Sequence, residues 1–277
     1  MRGPYSGPRE FNYMRVVIVD DANSVASSSA EILCQQLIDQ PSSVLGLATG
    51  STPVMLYREL VRRYRAGLVS FSGAKSFNLD EYVGIDPKHH QSYCHFMQTH
   101  LFDHIDIEPA ATEILQGLAE PNVECQRYEA AIKSAGGIDL QVLGLGANGH
   151  IGFNEPTSSL ASRTRIKTLT EATVAANARF FKPKEQQPSL ALTMGIGTIM
   201  EARHILLLAT GEHKAKAVKA MVEGPVCAAH PASVLQFHHT VTVILDAGAA
   251  SLLNSQQYFH WVEKMRSETI QLGRESR

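Results

Sequence analysis

The chain has 277 residues, 44% hydrophobic and 19% charged, with a formal charge of −2, the composition of an ordinary globular protein long enough to bury a full core. The near-neutral balance excludes a nucleic-acid surface, which needs a concentrated excess of Lys and Arg; the cluster Arg62, Arg63 and Arg65 reads as a solvated helix face. No apolar run approaches the ~20 residues that span a bilayer and no signal-peptide core opens the chain, so a soluble cytoplasmic protein without a membrane partner is expected.

Residues 1–13 (MRGPYSGPREFNY) carry Gly, Pro and polar residues without periodicity and read as a disordered tail or an expression remnant. Met14–Asp20 predicts a strand, the segment from about Ser24 to Asp39 a helix, and Val44–Ala48 (VLGLA) a second, buried strand. Thr52 is placed as the N-cap of the next helix with Pro53 at its first position. Val54, Tyr57, Leu60, Val61 and Tyr64 recur at helical spacing, and Gly67 closes that helix. Lys75–Leu79 is a third strand, running into Asp80-Glu81-Tyr82. Helices are expected around Ser92–Phe102 and over Asn122–Lys133, the latter closed by Gly136-Gly137. Asp139–Leu145 (DLQVLGL), His204–Ala209 (HILLLA) and Thr240–Leu245 (TVTVIL) supply further strands, with a long polar stretch before His204. Strands that are apolar almost throughout and alternate with helices give an α/β, Rossmann-like fold: an open, mostly parallel sheet with helices on both faces. Without an internal repeat, 14–277 reads as one catalytic domain. Cys34, Cys94, Cys125 and Cys227 are scattered, with no C-x-x-C pair, and are expected as reduced thiols.

In such sheets ligands bind beyond the carboxyl ends of the strands. The segments found there are Thr49–Thr52, Asp80–Tyr82, Gly144–Pro156 (GLGANGHIGFNEP) and Thr210–Lys214. Thr49-Gly50-Ser51-Thr52 sits between a strand and a helix N-terminus, where free N–H groups and the helix dipole suit a phosphate, and Lys214 would add a cation. Gly144-x-Gly146-x-x-Gly149 matches the dinucleotide fingerprint formally, but His150, Gly152 and Pro156 follow it where a helix is required, so no nicotinamide cofactor is expected. His150 titrates near neutrality and Glu155 would orient it, while Asn148 hydrogen-bonds without ionising. Asp80 and Glu81 point to opposite sides of an extended chain, so one of them would face the site as a base that needs partial burial. Among the twelve histidines, His100 and His104 have ligand-pair spacing but no third ligand, so no metal is expected.

Thr49–Pro53, Phe77–Gly84 (FNLDEYVG), Gly144–Pro156 and Ser158–Leu169 (SSLASRTRIKTL) resemble the glucosamine-6-phosphate deaminase family, from Met14 to about Lys264. The resemblance implies conversion of glucosamine 6-phosphate to fructose 6-phosphate and ammonia in amino-sugar catabolism, a hydrolase reaction without a cofactor. It assigns Asp80 as the base at C2, His150 with Glu155 to ring opening, and Asn148 to the position beside them, where some members have Asp. It gives the substrate phosphate to Thr49, Gly50, Ser51, Thr52, Arg179 and Lys214. Some bacterial members are hexamers activated by N-acetylglucosamine 6-phosphate at a subunit interface near the chain's N-terminus; the residues resembling that site are Ser158, Arg165, Lys167, Thr168 and Tyr258. A rival is a 6-phosphogluconolactonase, which shares the fold and a G-x-G-x-x-G-H loop but needs no base at C2. Glu155 within FNEP and the NLDEYVG string favour the deaminase. A non-catalytic sugar-phosphate sensor would be expected to have lost one of Asp80, His150 or Glu155, and all three are present.

Overall fold

The computed structural model describes residues 14–275 except 179, 180, 183, 184 and 186; the expected tail, 1–13, and Arg179 lie outside the described residues. In chain order the strands are β1 (Met14–Val19), β2 (Val44–Leu47), β3 (Lys75–Asn78), β4 (Asp80–Tyr82), β5 (Thr112–Glu113), β6 (Leu140–Gly144), β7 (Arg165–Thr168), β8 (Leu190–Thr193), β9 (His204–Ala209) and β10 (Val241–Asp246). The helices are α1 (Ala22–Asp39), α2 (Ser51–Arg65), α3 (Tyr93–His100), α4 (Pro121–Ser134), α5 (Glu171–Ala178), α6 (Ile196–Met200), α7 (Ala215–Val222), α8 (Ala247–Ala250) and α9 (Gln256–Glu275).

Seven strands form one parallel sheet in the order β1-β10-β9-β6-β2-β3-β5. Its central strands are buried on both faces, which is why β2 (VLGL) and β9 (HILLLA) are apolar rather than alternating. From β2 the chain builds outward to β3 and β5; from β6 it builds the other way to β9 and β10. The topological switch point therefore lies between β2 and β6, and the loops that leave those two strands open a crevice at the carboxyl edge.

A second sheet was not anticipated from the sequence. β4, β8 and β7 pair antiparallel, with Asp80 opposite Thr193 and Arg165 opposite Thr193 on the other side. Leu79 is the junction: its N–H donates to Leu47 O of the parallel sheet (3.0 Å), and its carbonyl accepts from Met194 N beside the second sheet (2.7 Å). These strands are three or four residues long and partly polar, too short to show a period. Tyr82, Ile85, Phe153, Leu169 and Ala191 make a small apolar cluster under this sheet, apart from the main core.

The helix after β2 also differs from expectation. It begins at Ser51, with Gly50 as N-cap and no side-chain cap hydrogen bond, so Thr52 lies inside the first turn. Gly50 has φ 111°, a left-handed conformation that favours glycine, and this sharper turn starts the helix two residues earlier than a Thr52 cap would. Among the described residues no helix is long and apolar enough to cross a membrane, and all four cysteines are free.

Candidate active site

A cavity of about 490 Å³ opens at the switch point, lined by Thr49–Thr52 after β2, Asp80 at the start of β4, Gly144–Asn148 and His150 after β6, and His213 and Lys214 after β9. Four segments far apart in sequence are brought together because β3, β2, β6 and β9 are neighbours in the sheet. Tyr57 donates to Ala48 O (2.5 Å) and pins the end of β2 to α2. Asp246, at the end of β10, accepts the Gly211 N–H (2.9 Å), which fixes the turn that carries Lys214.

One end of the cavity suits an anion. The first-turn N–H groups of α2 have no side-chain cap and face the cavity through Ser51 and Thr52. Lys214 stands across from them; burial pushes its pKa below the ordinary lysine value, and no carboxylate pairs with it among the described residues. A half-buried ammonium without a partner is costly unless an anion joins it. All four residues of Thr49–Thr52 line the cavity, as does Lys214.

The other end is built from the loop after β6. The His150 carbonyl accepts from Gly146 N (2.9 Å), folding the loop so that the imidazole lies over Gly146, where any Cβ would overlap the ring. That contact explains a glycine there independently of any nucleotide. Glu155 does not line the cavity; 1% exposed, it lies behind His150. Its Oε2 faces His150 Nδ1 (3.3 Å) and accepts from Asn148 Nδ2 (2.7 Å). Its Oε1 accepts from Thr173 Oγ1, and Thr170 Oγ1 lies 3.4 Å from the same oxygen. Burial works against the charge, but the hydrogen bonds from His150, Thr173 and Asn148 outweigh it and hold the Glu155 carboxyl at about 2.

Asp80 is 5% exposed, and its remaining surface faces the cavity. Burial, with the neighbouring Glu81 charge, pushes its carboxyl up to about 8. Glu81 is turned the other way: its oxygens accept from the backbone N–H groups of Tyr82 (2.8 Å), Tyr93 (3.0 Å) and Cys94 (3.0 Å), at the start of α3. Of the acidic pair, therefore, one member is the site's and the other anchors a helix.

Among the polar lining residues, the sequence placed His213 in the Thr210–Lys214 segment without giving it a role, and missed Tyr93 and Thr173. His213 was within reach of the strand-end rule. Thr170-x-x-Thr173 is a helix-start pattern, with Thr173 N donating to Thr170 Oγ1 (3.2 Å), but nothing in it points to Glu155.

The five effector-type residues are carried by different elements: Arg165, Lys167 and Thr168 by β7, Tyr258 by α9, and Ser158 by the loop before β7. Ser158 is buried, and its hydroxyl has no hydrogen-bond partner among the described residues. Arg165 and Lys167 share one side of β7, whose burial alternates, while Thr168 is on the other and exposed. Tyr258 is on α9, which packs on β1, the edge strand of the large sheet, through the Arg15–Glu263 ion pair (2.6 Å).

Neither His100 nor His104 forms part of a ligand set: His100 packs on Phe96 and His104 Nε2 meets Thr99 O (3.0 Å). Among the described residues His89, His90 and Glu185 are the one group whose ligand atoms gather closely enough for a metal ion. They fit an ion poorly. His89 Nδ1 accepts from Gln91 N (3.1 Å), which leaves the ring proton on Nε2, the atom that would have to bind metal. The rings stack on each other, with their Nε2 atoms 3.9 Å (His89) and 3.4 Å (His90) from the Glu185 carboxylate.

Residues 20–244 match the family model described as glucosamine-6-phosphate isomerases/6-phosphogluconolactonase. The chain is 58% identical over 259 residues to the glucosamine-6-phosphate deaminase of Hahella chejuensis, covering 94% of this chain and 98% of that one. It is 56% identical to that of Cellvibrio japonicus, covering 93% and 98%. A solved structure of a monomeric glucosamine-6-phosphate deaminase superposes with a TM-score of 0.84 at 43% identity, over 86% of this chain and all of that one. The 6-phosphogluconolactonase from Trypanosoma cruzi superposes at 0.71 with 19% identity, over 90% and 100%, a likeness of fold alone.

Proposed function

The chain belongs to the glucosamine-6-phosphate isomerase/6-phosphogluconolactonase family, and we propose that it is a glucosamine-6-phosphate deaminase, releasing fructose 6-phosphate and ammonia. The observation that carries the reading is one cavity holding an uncapped helix N-terminus with Lys214 at one end, and Asp80 with the His150–Glu155 pair at the other.

The substrate phosphate rests on the N–H groups and hydroxyls of Thr49–Thr52 and on Lys214, with Arg179 joining them by family resemblance. This fixes the sugar's far end and leaves C1 and C2 near the β6 loop. His150 carries a proton from the C1 hydroxyl to the ring oxygen, and the ring opens to the aldehyde. The Glu155 charge orients the imidazole and steadies it when protonated; Asn148, a neutral donor to the same oxygen, fixes the carboxylate without relaying a proton. The C2 ammonium of the substrate then favours the ionised form of Asp80, which removes the C2 proton and returns it to C1, while one ammonium proton passes to the aldehyde oxygen, which becomes the C1 hydroxyl. An iminium is left at C2, water adds to it, and ammonia departs. One water is consumed overall, which is the sense in which the enzyme is a hydrolase; the carbon-skeleton step is an aldose–ketose isomerisation.

A lactonase would have no use for a proton acceptor at C2. The buried carboxyl of Asp80, with its high proton affinity, supports the deaminase. Parallel assays of ammonia release from glucosamine 6-phosphate and of lactone hydrolysis decide between them. Ammonia and fructose 6-phosphate in equal amounts are expected; lactone hydrolysis alone overturns the reading.

The same reading takes 14–277 as a single catalytic domain of a cytoplasmic protein and includes assembly into a homo-oligomer, a hexamer by resemblance, with activation by N-acetylglucosamine 6-phosphate. The unpartnered Ser158 hydroxyl supports a ligand there, as does Arg165, whose Nη1 holds Asn154 Oδ1 (2.9 Å) beside Glu155. By resemblance that site lies at a subunit interface and would need a second copy, and the similar solved enzyme is monomeric. A monomer in solution whose ammonia release ignores that sugar phosphate overturns this part.

A further inference from the structure

Resting on the assignment of Glu155 to the reaction, we propose that Thr173 is a positioning residue: its hydroxyl, backed by that of Thr170, fixes the carboxylate that orients His150 and ties it to the seating of α5. The carboxylate is held from two sides. Asn148 and His150, on the loop after β6, occupy Oε2. Thr173, in the first turn of α5, donates to Oε1, and Thr170, immediately before α5, stands behind it with its Oγ1 3.4 Å from the same oxygen. A carboxylate held only through Oε2 could pivot about that oxygen and swing His150 with it; donors on both oxygens remove that freedom.

The hydroxyls form a directed chain. The Thr170 Oγ1 proton points to Thr173 Oγ1 (3.0 Å), whose own proton goes to Glu155 Oε1. Each donor in such a chain strengthens the next, and a hydrogen bond to an ionised acceptor is roughly twice as strong as a neutral one. Thr173 is 8% exposed, so water replaces its hydroxyl poorly. Among the described residues, the titratable group facing Glu155 is His150, and the other contacts are neutral.

The arrangement also links two parts of the fold. Leu169, just before the threonines, belongs to the apolar cluster of Tyr82 and Phe153, and Val174 packs against it. Tyr82 closes β4, two residues after Asp80, and Phe153 lies two residues before Glu155. When the first turn of α5 is docked on that cluster, Glu155 has its full set of donors; when it is displaced, Oε1 loses Thr173 and the hydroxyl that backs it.

The test compares Thr173→Val, which keeps the shape and deletes the hydroxyl, with Thr173→Ser, which keeps the hydroxyl. In ammonia release the valine variant is expected to lose kcat about tenfold, the effect of one hydrogen bond to a charge, with KM within about twofold, and the serine variant to recover most of it. Carbon-13 titration of the Glu155 carboxyl in the free protein gives a readout that does not depend on the substrate: the midpoint rises in the valine variant and returns in the serine variant. Unchanged kcat and an unchanged Glu155 midpoint in Thr173→Val overturn the inference, as does equal loss in both variants. A wild-type enzyme that releases no ammonia but shows the shifted midpoint contradicts the proposed reaction and leaves the positioning intact.

Discussion

Asp80 and Glu155 are buried to nearly the same degree, 5% and 1% exposed, and yet they are pushed in opposite directions. At the junction of the two sheets Asp80 meets burial and the Glu81 charge, and its proton affinity rises to about 8. Behind the β6 loop Glu155 meets donors on both oxygens and stays ionised down to about 2. Burial alone therefore does not set the proton state of a carboxyl, and neither does a count of donors. Glu81 accepts three backbone N–H bonds and is still raised to about 7, whereas at Glu155 the imidazole, hydroxyl and amide contacts outweigh burial. The two environments match the two tasks of the proposed reaction. A base that must hold the C2 proton needs affinity for it, and a group that orients an imidazole needs a permanent charge.

The largest effects that can break this contrast are on turnover. Asp80→Asn removes the proposed base and is expected to lower ammonia release about a thousandfold or more, while calorimetry still shows sugar-phosphate binding, because the proposed phosphate end is untouched. Glu155→Gln keeps the shape and removes the charge; a fall in kcat of about 10–100-fold is expected, smaller because His150 is still present. Equal losses in the two variants would erase the distinction between a reacting group and an orienting one.

The smallest effects, a few °C in thermal midpoint, should have opposite signs. The folded pKa of Asp80 lies above its unfolded value, so its contribution to stability is fully present below ~3.9 and is lost as pH rises through about 8. At pH 8 Asp80→Asn is therefore expected to raise the midpoint. The folded pKa of Glu155 lies below its unfolded value, so its contribution is present above ~4.3 and is lost as pH falls toward about 2. Glu155→Gln should accordingly lower the midpoint at neutral pH. Thermal scans of both variants at pH 5 and pH 8 check this, with the Asp80→Asn gain larger at pH 8.

How much of this was legible in the sequence follows from the length scale of each signal. The parallel strands announce themselves as apolar runs because both faces are covered, and the rule that loops after such strands carry ligands led to Thr49–Thr52, Asp80, His150 and Lys214. The antiparallel sheet did not show, since its strands are three or four residues long and rely on pairing across the chain. Its absence hid why Asp80 is buried: Leu79 hydrogen-bonds to both sheets and leaves Asp80 where they diverge. The opposite orientations of Asp80 and Glu81 followed from strand geometry, but which member faced the cavity did not. Thr170 and Thr173 were invisible for another reason. Hydroxyl residues at a helix start are explained by the helix alone, and their partner lies 15–18 residues away. Arg179 entered through family resemblance only.

The central claim is that the site holds one carboxyl ready to keep a proton and another that never takes one near neutrality. Carbon-13 titration of the side-chain carboxyls, assigned with Asp80→Asn and Glu155→Gln, reads both in the same sample. The expected result is a midpoint for Asp80 near 8 and a Glu155 signal still ionised at pH 4. Both groups titrating together near the ordinary carboxyl value of about 4 would contradict the account.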